Sequence, residues 1–160
     1  MSHAGLSQDQ LQSITGHYKH YHAQMWYYKA MLQSFKRKNA LLNGLAICLI
    51  AFGMVVGGVW PDSFAMIVLT ACSAAIKGWT DFRNYSHKIA MCYFAYTTFE
   101  KILLELKKYE REYPAEGMLE FLARSQIHEE TIIDLTPPVP EKLIRLYSKL
   151  VDDKNPVESL

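Results

Sequence analysis

The chain has 160 residues, a formal net charge of +1 and 50% apolar residues, yet its mean hydropathy is only −0.05. Its length suits a single domain, and the nearly balanced charge excludes a generally basic nucleic-acid binder, so no nucleic-acid partner is predicted. A half-apolar chain of neutral mean hydropathy must concentrate its apolar residues in particular segments.

The segment before residue 38 carries an apolar heptad pattern. Its apolar positions alternate at spacings of three and four: Leu11, Ile14, Tyr18, Tyr21, Met25, Tyr28, Leu32 and Phe35. This spacing predicts a long helix with a coiled-coil seam. His17, His20 and His22 lie on this helix without an acidic residue or cysteine in the adjacent turn, which favours a solvated or interfacial histidine face over a metal site.

Two uncharged runs follow and predict two membrane spans. Residues 39–61 form a run of 23 residues without Asp, Glu, Lys or Arg. A helix of this length, at about 1.5 Å per residue, crosses the roughly 30 Å hydrocarbon core. The second run begins after Asp62 and reaches a similar length if Lys77 extends its ammonium toward the headgroups. We therefore predict spans at about 39–60 and 63–80, joined by a short turn.

Basic residues mark one side of this helical hairpin. Residues 36–38 are Lys-Arg-Lys, and Lys77 and Arg83 close or follow the second span, whereas the turn at 60–63 has no Lys or Arg. The chain is therefore predicted to be an integral membrane protein, and the positive-inside rule predicts that both of its termini face the cytoplasm. The alternative is a buried pair of helices in a soluble protein, but few amphipathic helices remain to cover such a pair.

A second heptad seam follows the second span. Its positions are Tyr85, Ile89, Cys92, Tyr96, Phe99, Leu103 and Leu106. Both spans are therefore predicted to continue as long cytoplasmic helices, which pack as an antiparallel coiled coil. Run backward into the membrane, this seam selects Phe82, Gly78, Ala75 and Ala71.

Small residues at the membrane part of the seams predict close helix packing. Gly53 and Gly57 are spaced four apart in the first span, and Ala71 and Ala75 share that spacing in the second. In lipid, such residues let helix backbones approach each other. These four are the predicted helix-packing residues, and Gly53 and Gly57 pack either within the hairpin or against another subunit.

Residues 114–160 form a predicted helical tail, distinct from a hairpin domain at 1–113. Pro114 stops the long helix and can begin a shorter one, whose apolar face draws on Met118, Leu119, Phe121, Leu122 and Ile127. A Pro-rich linker is predicted at 134–140, and a final helix follows Pro140. We expect that helix to dock on the chain's own helices, a neighbouring subunit or another protein.

Apolar side chains off the seams predict a homo-oligomer. Trp26, Tyr27, Met31, Tyr93 and Phe94 would be exposed in an isolated helix pair, and large exposed apolar patches mark interfaces. The lipid bilayer and further copies of the chain are thus the predicted partners.

Five polar residues are candidates for lining a pore. Thr70, Ser73 and Lys77 share a stripe of the second span, and Asn39 and Asn43 share one near the same leaflet in the first. Polar groups at membrane depth favour a protein interior or a water-filled cavity. Alternatively, the hydroxyls bond their own helix carbonyls and the other three stay wet at the interface.

No sequence motif of catalysis occurs. The chain lacks GxSxG, HExxH, Walker A and GxGxxG patterns. The adjacent Glu129 and Glu130 point in different directions on a helix, which makes them a poor acid–base pair. We therefore predict no enzyme activity, no catalytic residues and no cofactor or metal.

The order of long helix, hairpin and second long helix resembles the SLATT family of two-transmembrane proteins, over about residues 18–113. The resemblance lies in Tyr27 and Tyr28 before 36–38, the small-residue run 71–75, Trp79 with Phe82, and the helix from Phe99 and Glu100 to Tyr109. It implies a membrane effector that oligomerises and perturbs the bilayer, often with a separate nucleotide-responsive sensor. The expected function is an oligomeric membrane channel or pore-forming effector; a non-conducting scaffold or accessory subunit of a larger membrane complex is the alternative.

Overall fold

The described structure is entirely helical. A computed structural model of the chain describes residues 8–59, 64–112 and 115–153. Its helices are α1 (Gln8–Val59), α2 (Phe64–Phe82), α3 (Tyr85–Glu112), α4 (Ala115–Leu135) and α5 (Glu141–Asp153). No strand occurs within these ranges, so the all-α class is confirmed. The predicted turn at 60–63 and Pro114 lie outside the described residues.

The chain folds as two compact units. The hairpin unit is Leu32–Ala90, and the bundle unit combines the described residues up to Met31 with those from Met91 onward. This division differs from the one expected between residues 113 and 114. The reason is that α4 and α5 contact the first part of α1, through His20–Glu129 and His22–Tyr147.

Stacked aromatic rings form the core of the bundle unit between α1 and α3. Tyr21, Tyr28 and Phe99 are fully or almost fully buried, and the ring centroids of Tyr28 and Phe99 lie 5.8 Å apart. The Nζ atom of Lys107 lies 5.6 Å from the centroid of the Tyr18 ring. Residue numbers thus rise along α1 as they fall along α3, and these parts of the two helices are antiparallel. Of the predicted seam positions, Tyr21 and Tyr28 on α1 and Cys92 and Phe99 on α3 are buried, whereas Tyr18, Met25 and Tyr96 are half-buried.

The tail helix α4 completes this core and runs parallel to α1. His20 contacts Glu129, and eight residues further along α1, Tyr28 bonds Thr136. The inner face of α4 repeats at spacings of three and four, at Leu122, Ser125, Glu129 and Ile132, and Thr136 follows at the same spacing just after the helix ends. Ile127 was expected on this face but is 66% exposed, because that periodicity places it on the far side of the helix.

The C-terminal elements follow the expected order with shifted boundaries. Helix α4 continues to Leu135, so the predicted linker at 134–140 is non-helical only from residue 136. The main-chain amide of Leu143 donates to the carbonyl of Pro140 at 2.9 Å, which closes the first turn of α5. The predicted final helix after Pro140 is confirmed.

In the hairpin unit, α1 and α2 pack antiparallel along a face that differs from the predicted one. The less exposed positions of α2 are Leu69, Ser73, Ile76 and Thr80. The backward seam was expected at Phe82, Gly78, Ala75 and Ala71, all of which are exposed. That prediction was wrong because it assumed one uninterrupted helix from α2 into α3.

The interruption lies at Arg83 and Asn84. Asn84 has φ = 52°, a left-handed conformation that Asn tolerates better than most residues. Its amide donates to the Asp81 carbonyl at 3.0 Å, and its own carbonyl accepts from the Lys88 amide at 3.1 Å. Asn84 therefore ends α2 and begins α3, which offsets the heptad register between them. By contrast, α1 is one helix of 52 residues, as expected.

Candidate functional site: the apolar hairpin

Apolar side chains cover the outside of the hairpin unit. Among the described helices, α1 alone is long and apolar enough to cross a membrane. Its most apolar window has a mean hydropathy of 2.2, and 11% of that window is buried. Exposed large side chains include Leu41, Ile47, Phe52, Met54, Val55, Val59, Phe64 and Ile67. Core helices of soluble proteins are covered by other elements, whereas these side chains point outward.

Helix α2 contains no stretch as long and apolar as that of α1, because Lys77 and Asp81 lie in its last two turns. Its uncharged part, residues 64–76, contains 13 residues, and a helix of that length spans about 20 Å. Lys77 Nζ lies 3.4 Å from Asp81 Oδ1, and both side chains are largely exposed. The hydrocarbon core is roughly 30 Å thick, so a crossing by α2 requires Lys77 to reach up to the headgroups.

The structure separates the candidate pore residues of α2. Ser73 is 4% exposed, and its hydroxyl donates to the Ala46 carbonyl of α1 at 3.3 Å. It is therefore a packing residue between the two helices. The Thr70 hydroxyl donates to the Met66 carbonyl of its own helix at 2.9 Å. Thr70 and Lys77 are exposed and lie about 20° apart in helical projection, on one flank of the packed face.

On α1, Asn39 and Asn43 are both half-buried. Asn39 continues the spacing of the packed face, which includes the buried Ala46, whereas Asn43 lies beside it. The hairpin therefore leaves Thr70 and Lys77 as the two exposed members of the predicted pore set.

Gly53 and Gly57 of α1 face α2. A Cβ atom built on Gly53 would lie 3.6 Å from Leu69 Cβ, and one on Gly57 would lie 2.7 Å from Met66 Sδ. Both glycines thus pack within the hairpin, which is one of the two expected arrangements. Ala71 and Ala75 are exposed on α2 and do not lie on the face that packs on α1.

In the bundle unit, the histidine cluster has an acidic partner that is distant in sequence. His20 Nε2 lies 2.5 Å from Glu129 Oε1, across 109 positions of the chain. Both residues line a cleft of about 350 Å³ with Ser13, Gly16, His17 and Gln126. The buried Tyr21 hydroxyl has no hydrogen-bond partner among the described residues, and its burial and the nearby Glu129 raise its pKa to about 12. Sequence reasoning missed Glu129 because only the folded tail brings it to α1.

Helix α5 docks on the chain's own α1 within the same unit. Tyr147 OH lies 3.0 Å from His22 Nδ1, and the Tyr147 ring centroid lies 5.4 Å from those of both Trp26 and Tyr27. Burial, with the positive charge of Lys107, lowers the pKa of His22. Trp26 and Tyr27, which would be exposed in an isolated helix pair, are therefore partly covered by the tail.

The remaining off-seam residues differ in how far they are buried. Met31 is 3% exposed, whereas Tyr93 and Phe94 on α3 are about half exposed.

Across residues 8–59, 64–112 and 115–153, no group of three His, Cys, Asp or Glu side chains is arranged to hold a metal ion. No family model, curated protein or solved structure matches the chain.

Proposed function

We propose that this protein is an integral membrane protein of the SLATT type, whose copies assemble into a channel or pore-forming effector. In this proposal the α1–α2 hairpin crosses the bilayer at about 39–60 and 63–80, with both termini in the cytoplasm. The observation that supports it best is the exposed apolar surface of the hairpin, where 11% of the most apolar window of α1 is buried. Lipid is the medium that accepts such a surface without cost.

Assembly is part of the proposal because a single hairpin has too few helices to enclose water. The outward face of α2 carries the small residues Ala71 and Ala75, which suit close approach by a neighbouring helix. The exposed Thr70 and Lys77 lie on that helix and are the residues we place closest to a water path. A closed ring of identical subunits would bring one copy of each to a common axis.

A non-conducting scaffold or accessory subunit is the second candidate. Two contacts favour it: Ser73 bonds a carbonyl of α1, and Lys77 pairs with Asp81. Polar groups that find partners inside one chain need no aqueous path. In either case the bundle unit is the part available to a separate sensor or regulatory protein.

Ion flux through reconstituted liposomes distinguishes the two. The purified full chain, with its subunit number measured in detergent and its density in liposomes known, is expected to release trapped ions. Replacing Lys77 with Glu is expected to shift the selectivity from anions toward cations, because the charge nearest the path is reversed. The control is Lys142→Glu on α5, which changes the same charge in the bundle unit.

The outcomes separate the candidates. Flux with a selectivity that follows Lys77 but not Lys142 supports the channel. An oligomer that releases neither ions nor small dyes at known density would contradict the channel and favour the scaffold.

A further inference from the structure

The hairpin unit carries a strong excess of positive charge. Its basic residues are Lys36, Arg37, Lys38, Lys77, Arg83 and Lys88. Among the described residues of Leu32–Ala90, the one carboxylate is Asp81, and Lys77 lies 3.4 Å from it. The charges of 36–38 and Arg83 therefore remain available on the surface, where all four side chains are exposed.

These four residues lie at the same end of the hairpin. The ring centroids of Phe35 on α1 and Tyr85 at the start of α3 are 6.2 Å apart. Residues 36–38 directly follow Phe35, and Arg83 precedes Tyr85 by two positions. The contact of the two rings thus brings a basic turn of α1 beside the break between α2 and α3.

Exposed aromatic rings adjoin this basic group. The Arg83 guanidinium carbon lies 4.7 Å from the centroid of the Trp79 ring, and Trp79 and Phe82 are 50% and 81% exposed. A guanidinium stacked on a ring keeps its N–H edges free for an anion. Indole rings favour the boundary between headgroups and hydrocarbon. The end of the hairpin therefore combines charge for phosphate with apolar surface for the acyl boundary.

We propose that this basic collar, defined as Lys36, Arg37, Lys38 and Arg83 with Trp79, binds the headgroups of anionic phospholipids. The inference rests on the proposed membrane insertion and adds a lipid preference to it. Phosphate oxygens accept two parallel hydrogen bonds from an Arg fork, and basic residues beside a span are attracted to an anionic leaflet. The collar also follows directly on the apolar surface of α1 and α2, so a lipid that contacts the hairpin with its chains meets the collar with its headgroup.

Fluorescence quenching by brominated lipids tests the collar at the site itself. Trp26 and Trp60 are replaced by Phe in the full chain, which leaves Trp79 as the single indole. The protein is reconstituted in phosphatidylcholine vesicles that contain a minor fraction of either brominated phosphatidylglycerol or brominated phosphatidylcholine. The ratio of the two quenching constants gives the preference of the Trp79 environment for the anionic lipid.

Two variants with equal charge loss make the measurement specific. The first replaces residues 36–38 with Gln, and the second replaces Lys142, Arg145 and Lys149 of α5 with Gln. We expect a clear preference for the anionic lipid in the parent chain and in the α5 variant. In the collar variant the preference is expected to fall at least about fivefold, the effect of one basic residue near an anionic surface.

The possible failures are distinct from one another. If neither brominated lipid quenches Trp79, the hairpin is not in the bilayer and the proposed function itself fails. Equal quenching by both lipids, or a preference that both variants reduce alike, contradicts the collar but not the insertion. If inorganic phosphate abolishes the preference and chloride at the same ionic strength does not, the site takes free phosphate and the lipid assignment is wrong.

Discussion

The buried hydrogen bond between Tyr28 and Thr136 joins the end of α4 to α1. Removing its donor and removing its acceptor are expected to lower the free energy of unfolding by different amounts. Tyr28 OH lies 2.7 Å from Thr136 Oγ1, and Tyr28 is 2% exposed. The Thr136 hydroxyl also lies 2.7 Å from the Ile132 carbonyl, to which it can only donate. Tyr28 is therefore the donor to Thr136. Removing the donor and removing the acceptor leave different groups unpaired.

Tyr28→Phe removes one hydrogen bond and leaves Thr136 bonded to Ile132, so we expect a loss of about 0.5–1.5 kcal/mol. Thr136→Val removes the acceptor and leaves the Tyr28 hydroxyl buried without a partner, for which the expected loss is about 1–3 kcal/mol. The Ile132 carbonyl still accepts from the amide of residue 136 at 3.0 Å, so it adds little to this cost. The double variant should lose less than the sum of the two single losses.

The assay is denaturant unfolding of the purified chain in detergent, followed by near-ultraviolet circular dichroism of the aromatic core. Thr131→Val is the matched control, since the exposed Thr131 hydroxyl also bonds a carbonyl of α4, that of Ile127, at 3.0 Å. We expect this control to stay within about 0.5 kcal/mol of the parent chain. If Thr136→Val costs no more than Thr131→Val, or less than Tyr28→Phe, the assignment of donor and acceptor is wrong.

Three further outcomes are expected. The folded state lowers the pKa of His22, so protonation of this imidazole opposes the docking of α5. The stability of the docked helix should be highest above pH 6.5 and should fall as the pH drops below that value. Proteolysis of α5 should therefore accelerate in acid, and His22→Gln should flatten the pH profile. Asn84→Ala should lower the free energy of unfolding by about 1 kcal/mol relative to Asn84→Gly, because φ is 52° there. Equal stability of the two variants in thermal unfolding would contradict the left-handed conformation of Asn84 at the helix break. Gly57→Leu should destabilise the hairpin more than Gly58→Leu, because a Cβ atom at Gly58 would meet no atom within 4 Å. Equal unfolding temperatures for the two variants would contradict the close approach of Gly57 to Met66.

The helical class and the core of the bundle unit were predictable because they depend on local periodicity. Tyr21, Tyr28 and Phe99 occupy seam positions at spacings of three and four, and all three are buried. A seam of that kind is visible in sequence wherever one helix runs without interruption.

The register of α2 was not predictable from the same pattern. One residue in a left-handed conformation, Asn84, offsets the seam, so Ser73 faces α1 where Ala71 and Ala75 were expected. Asn is common in loops and caps, and nothing in its neighbours distinguishes a helix break from a continuing helix.

The partners of the histidines were hidden for another reason. Glu129 and Tyr147 come from helices that follow a Pro-containing segment, and spacing within one helix says nothing about which helix packs on it. The contacts of His20 and His22 join positions 109 and 125 residues apart. Such contacts depend on how the tail folds back, which the heptad pattern does not contain.

The most direct test of the membrane hairpin uses two cysteines that the chain already has. Cys48 on α1 and Cys72 on α2 are exposed on the protein surface, whereas Cys92 is buried and can be replaced by Ala. In open membrane sheets, a charged maleimide should leave Cys48 and Cys72 unmodified until a denaturing detergent is added, because lipid covers them. A control cysteine introduced by Ser86→Cys, at an exposed position after the break, should react in both conditions. Modification of Cys48 as fast as the control in these membrane sheets, before detergent is added, would contradict insertion of the hairpin.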